Sequence, residues 1–473
     1  MKENFVILSD SYKFNHFAMY PKGTQNVYSY FESRNGAKYP TTTFFGLQAY
    51  LMRYFEGVVV TAEDIDEAEI FSKAHFGMDN FNRTMWERIV SVHGGKLPLR
   101  IKAVPEGMSI PISNIMMSVE VTDPTLDEQG NTLYAPLTNF CETILTHVWH
   151  ASNVATISRD VRKFMERAFS ISVDFDQNFL LDFMLHDFGF RGVSSVESAG
   201  MGGMGHLVNF MGTDTVIAIV YAQRYYGAGM AGLSVPATEH SVMTSLGEAG
   251  EFDMYVKLIE EYPKGILSVV SDSYNITRVL TDYMPRLKDK ILARDGKFVV
   301  RPDSPRFKDD TAAKQILWIV QELEKVFGTT LNKKGYKVLN PKVGVIYGDG
   351  LSVEEIKEAV KYLVENGYAA SNCVYGMGGS LLQKHNRDTQ RSAFKCSAQM
   401  RDGEWVDICK NPLDKSKVSK KGRLKLVYDG MWNNFVATVP IDDPREDIMQ
   451  VVFENGELVK KYTWEKVREN VKL

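Results

Sequence analysis

Residues Lys342-Val343-Gly344-Val345-Ile346 form a short apolar run, Tyr347-Gly348-Asp349-Gly350 interrupts it, and Ser352-Val353-Glu354-Glu355 opens a new pattern reaching to about Glu365. The run has the length and β-branched content of a buried strand. Ser352 and Glu355 have the spacing of a capping box, in which each side chain satisfies an N–H left free in the first helical turn. The unit reads strand, polar loop, helix. From about Asp182 onward the same order recurs: apolar runs end at Val269-Val270-Ser271-Asp272-Ser273, at Val299-Val300-Arg301-Pro302-Asp303-Ser304 and at Val374-Tyr375-Gly376-Met377-Gly378-Gly379. Each run delivers polar groups at its C-terminal end. Parallel α/β folds place their chemistry there, so the pattern predicts one shared site rimmed by these clusters. The predicted fold class is α/β, with a TIM-like α/β barrel over residues 151–394. A barrel is favoured over an open doubly wound sheet because a Gly-rich loop follows the last strong strand, where barrels often bind phosphate.

Outside this region the grammar differs. Residues 1–150 mix short β-like runs, Asn26 to Phe31 and Leu99 to Val104, with turns at Pro105, Pro111, Pro124 and Pro136 and a helical stretch from Ala62 to His75. From about Lys395 the chain turns basic and hairpin-like. The expectation is a β-rich second domain formed from both chain ends, 1–150 packing with 395–473.

Composition narrows the function classes. The 473 residues carry 55 Lys and Arg against 59 Asp and Glu, a net charge of −4. So mild an acidity offers no electrostatic ground for binding nucleic acid. The apolar stretch Val216 to Ala222 is seven residues long, far short of the roughly 20 that span a bilayer. No membrane partner is expected. The N-terminus lacks the apolar length of a secretory signal, and Cys141, Cys373, Cys396 and Cys409 lack CxxC spacing. A cytoplasmic chain with reduced, packed thiols is expected.

Asp187, Asp214, Asp272, Asp303 and Asp349 all fall near predicted strand ends. A single aspartate there reads as a turn or cap residue. Five together point to hydrogen bonds with sugar hydroxyls or an amide, or to water-mediated Mg²⁺. Gly376-Met377-Gly378-Gly379-Ser380 could cradle a phosphate on backbone N–H groups, and Arg191, Arg301 and Arg387 beside such loops supply fork-shaped donors. The conjunction suggests a phosphorylated sugar. Lys415, Lys417, Lys420, Lys421, Arg423 and Lys425 form a basic run that reads equally as a solvated hairpin face or a polyphosphate site. His240 follows a Pro-containing loop. His147 and His150, spaced i, i+3 without an HExxH pattern, read as helix residues and not as zinc ligands.

Taken as ordered strings, the motifs closely resemble the nicotinamide phosphoribosyltransferase family over nearly the whole chain. They include Ser9-Asp10-Ser11-Tyr12-Lys13, Tyr28-Ser29-Tyr30-Phe31-Glu32, His186-Asp187-Phe188-Gly189-Phe190-Arg191-Gly192, Val208-Asn209-Phe210-Met211-Gly212-Thr213-Asp214-Thr215, Glu239-His240-Ser241, Arg301-Pro302-Asp303-Ser304, Arg387-Asp388 and Ser419-Lys420-Lys421-Gly422-Arg423. The resemblance implies the barrel of a type II phosphoribosyltransferase, a homodimer with shared active sites, nicotinamide and phosphoribosyl pyrophosphate as substrates, ATP as co-substrate, and Mg²⁺ held mainly by pyrophosphate and water. It implies that Phe188 and Tyr12 of the partner subunit sandwich the pyridine ring and that Asp214 accepts the carboxamide N–H. Arg191 and Arg301 would bind phosphate groups; Asp303, Asp349, Gly348, Gly378, Gly379 and Ser268 would hold the ribose and its 5′-phosphate. His240 would be transiently phosphorylated by ATP, with Asp272 and Asp303 as its catalytic companions. Arg34, Arg387, Lys395, Lys410 and Lys417 would reach the nucleotide or pyrophosphate phosphates. Phe190, Pro305, Met377 and Ala393 depart from the family pattern. The nearest rival activity uses nicotinate, against which Asp214 argues because it would repel a carboxylate. A non-catalytic phosphosugar sensor is the rival from another class, and it would not need a phosphorylatable histidine.

Overall fold

The computed structural model describes residues 3–304, 310–348, 350–410, 413, 418–430 and 435–472. The chain divides into two compact units. One comprises Met1–Thr156, Ala222–Ala228 and Asn386–Leu473; the other comprises Ile157–Tyr221 and Gly229–His385.

The second unit is built on six parallel strands, Leu185–Asp187, Gly212–Thr213, Lys264–Val270, Asp295–Arg301, Val343–Tyr347 and Cys373–Met377. Their spatial order puts Gly212–Thr213 at one edge and Lys264–Val270 at the other. Both edges bond to the extended segment 233–238. Thr213 donates to the Leu233 carbonyl (3.1 Å) and Leu233 to Met211 (2.7 Å), while Thr238 donates to Ser268 (3.0 Å) and Ser268 to Pro236 (2.9 Å). The sheet is curled into a half-barrel whose two edges bond to different ends of this segment, an α/β architecture of the kind the strand-loop-helix repeat predicts.

The Val343–Tyr347 strand is buried along its whole length, as a parallel strand covered on both faces must be. Ser352 and Glu355 make both halves of the capping box, and the helix Val353–Glu365 buries Ile356, Ala359, Val360 and Leu363 at helical spacing. In the Asp295–Arg301 strand, Phe298 and Val300 are buried, and the Phe298 ring lies 6.2 Å from that of Tyr255 on the helix Glu251–Glu261. Lys297 lies on the alternate face, beside Gly344 of the neighbouring strand.

The first unit is organised by a seven-stranded antiparallel sheet in the order Glu404–Asp407, Ser392–Arg401, Thr24–Ser33, Ile115–Val121, Leu99–Ala103, Gln450–Glu454, Glu457–Leu458. Both chain ends contribute, since Thr24–Ser33 pairs with Ser392–Arg401. The helix Ala62–Phe76 starts at a Thr61/Asp64 capping box and ends at Gly77 in the left-handed region. A buried carboxylate, Glu106, accepts from the Gly46 and Gln48 N–H groups (2.9 and 2.6 Å) and the Tyr226 hydroxyl (2.6 Å). These three bonds satisfy a group whose burial pushes its pKa upward. All four cysteines are free thiols. Cys141 and Cys373 are buried, but Cys409 is exposed, so the expectation of packed thiols fails there.

Candidate functional site

In the barrel unit the candidate groups come from successive strand ends. Phe188 follows the Leu185–Asp187 strand, and its N–H donates to the Met377 carbonyl (2.9 Å). Its ring lies against bare backbone. A Cβ on Gly376 would stand 2.2 Å from Phe188 Cε2, and one on Gly348 would stand 3.1 Å away. Only glycine fits at 376, so this glycine of the predicted phosphate loop serves to seat an aromatic platform. Gly378 and Gly379 begin the short helix Gly379–Leu382, against which the turn Phe190–Gly192, carrying the exposed Arg191, packs.

Asp214 lies exposed after the Gly212–Thr213 strand, where its carboxylate accepts from the Ser234 hydroxyl. Its backbone N–H donates to the Asp187 carbonyl (2.9 Å). Asp187 itself is fully buried, and its Oδ1 accepts from the Gly189 N–H (2.7 Å). Burial pushes its carboxyl up to about 7, against the lowering effect of that hydrogen bond. Among the five strand-end aspartates, then, Asp187 is a buried turn-holder and Asp214 is open to a ligand. Asp349 lies outside the described residues.

A second group gathers around His240, the first residue of the helix His240–Met243. His240 Nε2 is 3.5 Å from Asp272 Oδ1, with the histidine side chain 50% exposed and the aspartate 4%. The other Asp272 oxygen accepts from the Ser304 hydroxyl. Arg301 donates through Nη2 to the Thr238 carbonyl (2.7 Å), and its buried Nε has no hydrogen-bond partner among the described residues. Ser268 is buried on the adjacent strand with its hydroxyl likewise unpaired, and Asp303 is half-buried after Pro302. An imidazole backed by a buried carboxylate, beside a fixed guanidinium, is suited to accepting and stabilising a phosphoryl group. Thr238 carries no signal in the sequence, because it holds Arg301 through its main-chain carbonyl, which any residue supplies; Ser304, which works through its hydroxyl, closes the motif Arg301-Pro302-Asp303-Ser304.

In the sheet unit, cations converge. Lys395 stands opposite Tyr30 in the sheet and donates to the Phe394 carbonyl (3.0 Å). Burial pushes its amine downward; Glu142 opposes this, while Arg34, Arg387 and Lys410 push the same way as burial. Four of the five candidate phosphate ligands, separated by up to several hundred positions, thus share one neighbourhood; the fifth, Lys417, lies outside the described residues. Tyr12 is 57% exposed, with the Lys13 ammonium 5.6 Å from its ring. The basic run behaves differently. Lys420 pairs with Glu32, Arg423 lies 3.2 Å from Glu120, and Lys425 donates to the Arg445 carbonyl (2.6 Å), so these three are committed within the unit.

A family model described as the nicotinate phosphoribosyltransferase (NAPRTase) family matches residues 183–457, and one described as the nicotinamide phosphoribosyltransferase N-terminal domain matches residues 4–101. A protein of Xanthomonas campestris pv. campestris named nicotinamide phosphoribosyltransferase is 41% identical, covering 98% of this chain and 97% of its own. One of the same name from Acinetobacter baylyi is 34% identical over 98% and 96%. Among solved structures, human nicotinic acid phosphoribosyltransferase aligns with a TM-score of 0.58 at 14% identity, covering 98% of this chain and 93% of that one, a likeness of fold. No helix among the described residues is long and apolar enough to cross a membrane. With a family model matching more than half of the chain and relatives above 30% identity spanning nearly all of it, the chain is a phosphoribosyltransferase, a member of the nicotinamide phosphoribosyltransferase family within the broader NAPRTase family.

Proposed function

We propose that the enzyme condenses nicotinamide with 5-phosphoribosyl 1-pyrophosphate to give nicotinamide mononucleotide and pyrophosphate, and that ATP hydrolysis is coupled to this through a phosphohistidine at His240. The observation that carries the reading is an exposed carboxylate, Asp214, anchored to the residue that precedes the Phe188 platform. A stacked ring beside a hydrogen-bond acceptor suits an aromatic carboxamide, whose N–H₂ donates; a carboxylate in the same place would be repelled. The bond from ribose C1 to pyrophosphate breaks with its electron pair leaving on the pyrophosphate, and the pyridine nitrogen lone pair forms the new bond to C1. The ring nitrogen carries no proton, so the step needs no general base.

Arg191 and Arg301 would bind phosphate groups and stabilise the departing charge. Asp303 and Asp349 would hold ribose hydroxyls, with Gly348, Gly378, Gly379 and Ser268 lining the phosphosugar. Mg²⁺, when bound, neutralises pyrophosphate charge; Asp272 and Asp303, oxygen donors after adjacent strands, suit a hard cation whose remaining ligands are pyrophosphate and water. Asp272 backs one imidazole nitrogen of His240 and leaves the other to take the γ-phosphoryl of ATP. We further propose a homodimer in which Tyr12, Arg34, Arg387, Lys395, Lys410 and Lys417 of one subunit complete the barrel site of the other. The exposed Tyr12 ring and the gathering of Arg34, Arg387 and Lys410 around Lys395 support this. A cytoplasmic setting is part of the proposal.

The test is a competition. Purified protein with equal nicotinamide and nicotinate, phosphoribosyl pyrophosphate, Mg²⁺ and ATP should yield nicotinamide mononucleotide as the dominant product. Formation of nicotinate mononucleotide instead would overturn the base assignment, and no mononucleotide at all would favour a sensor.

A further inference from the structure

Asp187 is a buried carboxyl group that the proposed chemistry does not use. It ends the strand Leu185–Asp187, and two hydrogen bonds tie it to the base-recognising groups. Oδ1 accepts from the Gly189 N–H (2.7 Å), which closes the turn carrying Phe188. Its main-chain carbonyl accepts from the Asp214 N–H (2.9 Å), which sets where the Asp214 carboxylate begins. Its Oδ2 points to Gly203 on the helix Val196–Leu207: a Cβ there would stand 3.2 Å from Oδ2 and 2.5 Å from the Ala218 Cβ. Oδ2 is buried; the Thr215 hydroxyl, itself buried, is near enough to lower the carboxyl's pKa but makes no hydrogen bond of standard geometry to it. We propose that Asp187 is a positioning residue for base recognition, holding the aromatic platform and the amide acceptor in register while touching no substrate itself.

A plain turn aspartate would be solvated. This one is sealed under the site with one oxygen short of a well-formed hydrogen bond, an arrangement that costs stability and persists where a function holds it. Burial, the first cause, places its titration at about 7. The charged and titratable groups around it are few. The following loop presents Asp214, of like charge; its own strand presents His186, whose pKa burial lowers. The helix Val196–Leu207 presents His206, whose ring nitrogens lie 3.0 Å from the Ser158 hydroxyl and 3.0 Å from the Gly212 carbonyl. Ionisation above pH 7 therefore strengthens the bond to Gly189 and adds negative potential next to Asp214, which disfavours a carboxylate base.

This inference rests on the proposed base site, and the experiment separates the two. For the wild-type chain, kcat and KM for nicotinamide and for nicotinate are measured from pH 6 to 8.5 beside Asp187→Asn, Asp187→Ser and Asp214→Asn. The expected result is a nicotinamide-to-nicotinate ratio that rises by about threefold or more through pH 7 in the wild type. In Asp187→Asn, which keeps an oxygen for the Gly189 N–H, that ratio should be flat, with kcat and the KM for phosphoribosyl pyrophosphate nearly unchanged. Asp187→Ser should lose both the turn bond and the pH response, with KM for nicotinamide raised about tenfold. A wild-type ratio independent of pH, an Asp187→Asn enzyme that keeps the wild-type inflection, or a folded Asp187→Ser enzyme that keeps the wild-type KM for nicotinamide, would overturn the proposal. If Asp214→Asn also leaves nicotinamide KM unchanged, the base-site reading itself fails; if it raises KM while Asp187→Ser does not, only the positioning role is lost.

Discussion

The barrel unit draws its candidate groups one at a time from successive strand ends, whereas the sheet unit brings several like charges to one place. In the barrel, two carboxylates of the rim meet neutral or opposite partners: Asp272 faces His240 and Ser304, and Asp214 faces Ser234. In the sheet, Lys395 is half-buried among Arg34, Arg387 and Lys410, with Glu142 as the one opposing charge that acts on it. The barrel groups are arranged to hold defined polar atoms. The cations form a positive field that awaits a polyanion. Recognition of the base and capture of phosphate are thus separable, and variants should affect them separately.

The largest expected effect is at His240. Under the proposed coupling, His240→Ala should reduce ATP hydrolysis about 10³-fold or more, because no other group accepts the phosphoryl, while slow ATP-independent mononucleotide synthesis persists. Phosphate release and product formation, followed in one reaction, check this. Hydrolysis at the wild-type rate would remove His240 from the coupling role.

Next comes Asp214. Asp214→Asn should lower kcat/KM for nicotinamide by about 10²-fold and narrow the preference over nicotinate, because one site polarity is then mismatched to the carboxamide and the repulsion of a carboxylate is gone. If both bases weaken equally and the melting temperature drops, Asp214 is a loop cap for the helix Val216–Tyr226 and nothing more.

A smaller effect tests the sheet unit. Lys395→Met should weaken phosphoribosyl pyrophosphate or ATP binding about tenfold, shrink its salt dependence, and leave base preference intact, since it removes part of a field and no directional contact. Mixed with Phe188→Ala chains, it should regain activity if the units complete one another across a dimer. An unaltered KM for both phosphate substrates, and no recovery on mixing, would dissociate the cation cluster from the reaction.

How far these features could be read from residues alone follows from the range of the interactions. The helix Val353–Glu365 and its capping box are local, and the expected end at about Glu365 coincides with the observed one. The segment 233–238 that bonds to both edges of the curled sheet is not legible as a strand: Pro236 interrupts it, and it pairs only through a few bonds to strands 20 to 30 residues away. The strand-end aspartates were visible as a set, but their division into the buried Asp187 and the open Asp214 depends on the helix that covers one of them. Gly376 reads as a phosphate-loop glycine until the Phe188 ring is seen lying on it. The basic run illustrates the opposite failure. Its positive charge is plain in the sequence, but the carboxylates that take up Lys420 and Arg423, Glu32 and Glu120, lie some 300 to 390 positions earlier and arrive only through strand pairing.

The smallest predicted effect concerns stability and singles out the barrel. Asp187 has an ordinary carboxyl pKa of 3.8 when unfolded and one of about 7 in the folded chain. The native state therefore binds this proton more tightly than the unfolded state, so the group's contribution is fully present at acid pH and declines as pH rises from about 4 to 7. Asparagine has nearly the same shape, keeps an oxygen for the Gly189 N–H and cannot ionise, so Asp187→Asn loses nothing over that interval. The melting temperature of the variant relative to wild type should accordingly increase between pH 5 and pH 8, by about 1–3 °C for a transition of this size. Glu106, the buried carboxyl of the sheet unit, is a useful contrast. It accepts two N–H groups and a hydroxyl at 2.6–2.9 Å, so replacing it with Gln turns one accepting oxygen into a donor and should destabilise at every pH. Thermal melts of the two variants across that range distinguish a carboxyl group kept for its proton from one kept for its hydrogen bonds, and a pH-independent difference at Asp187 would put it in the second class.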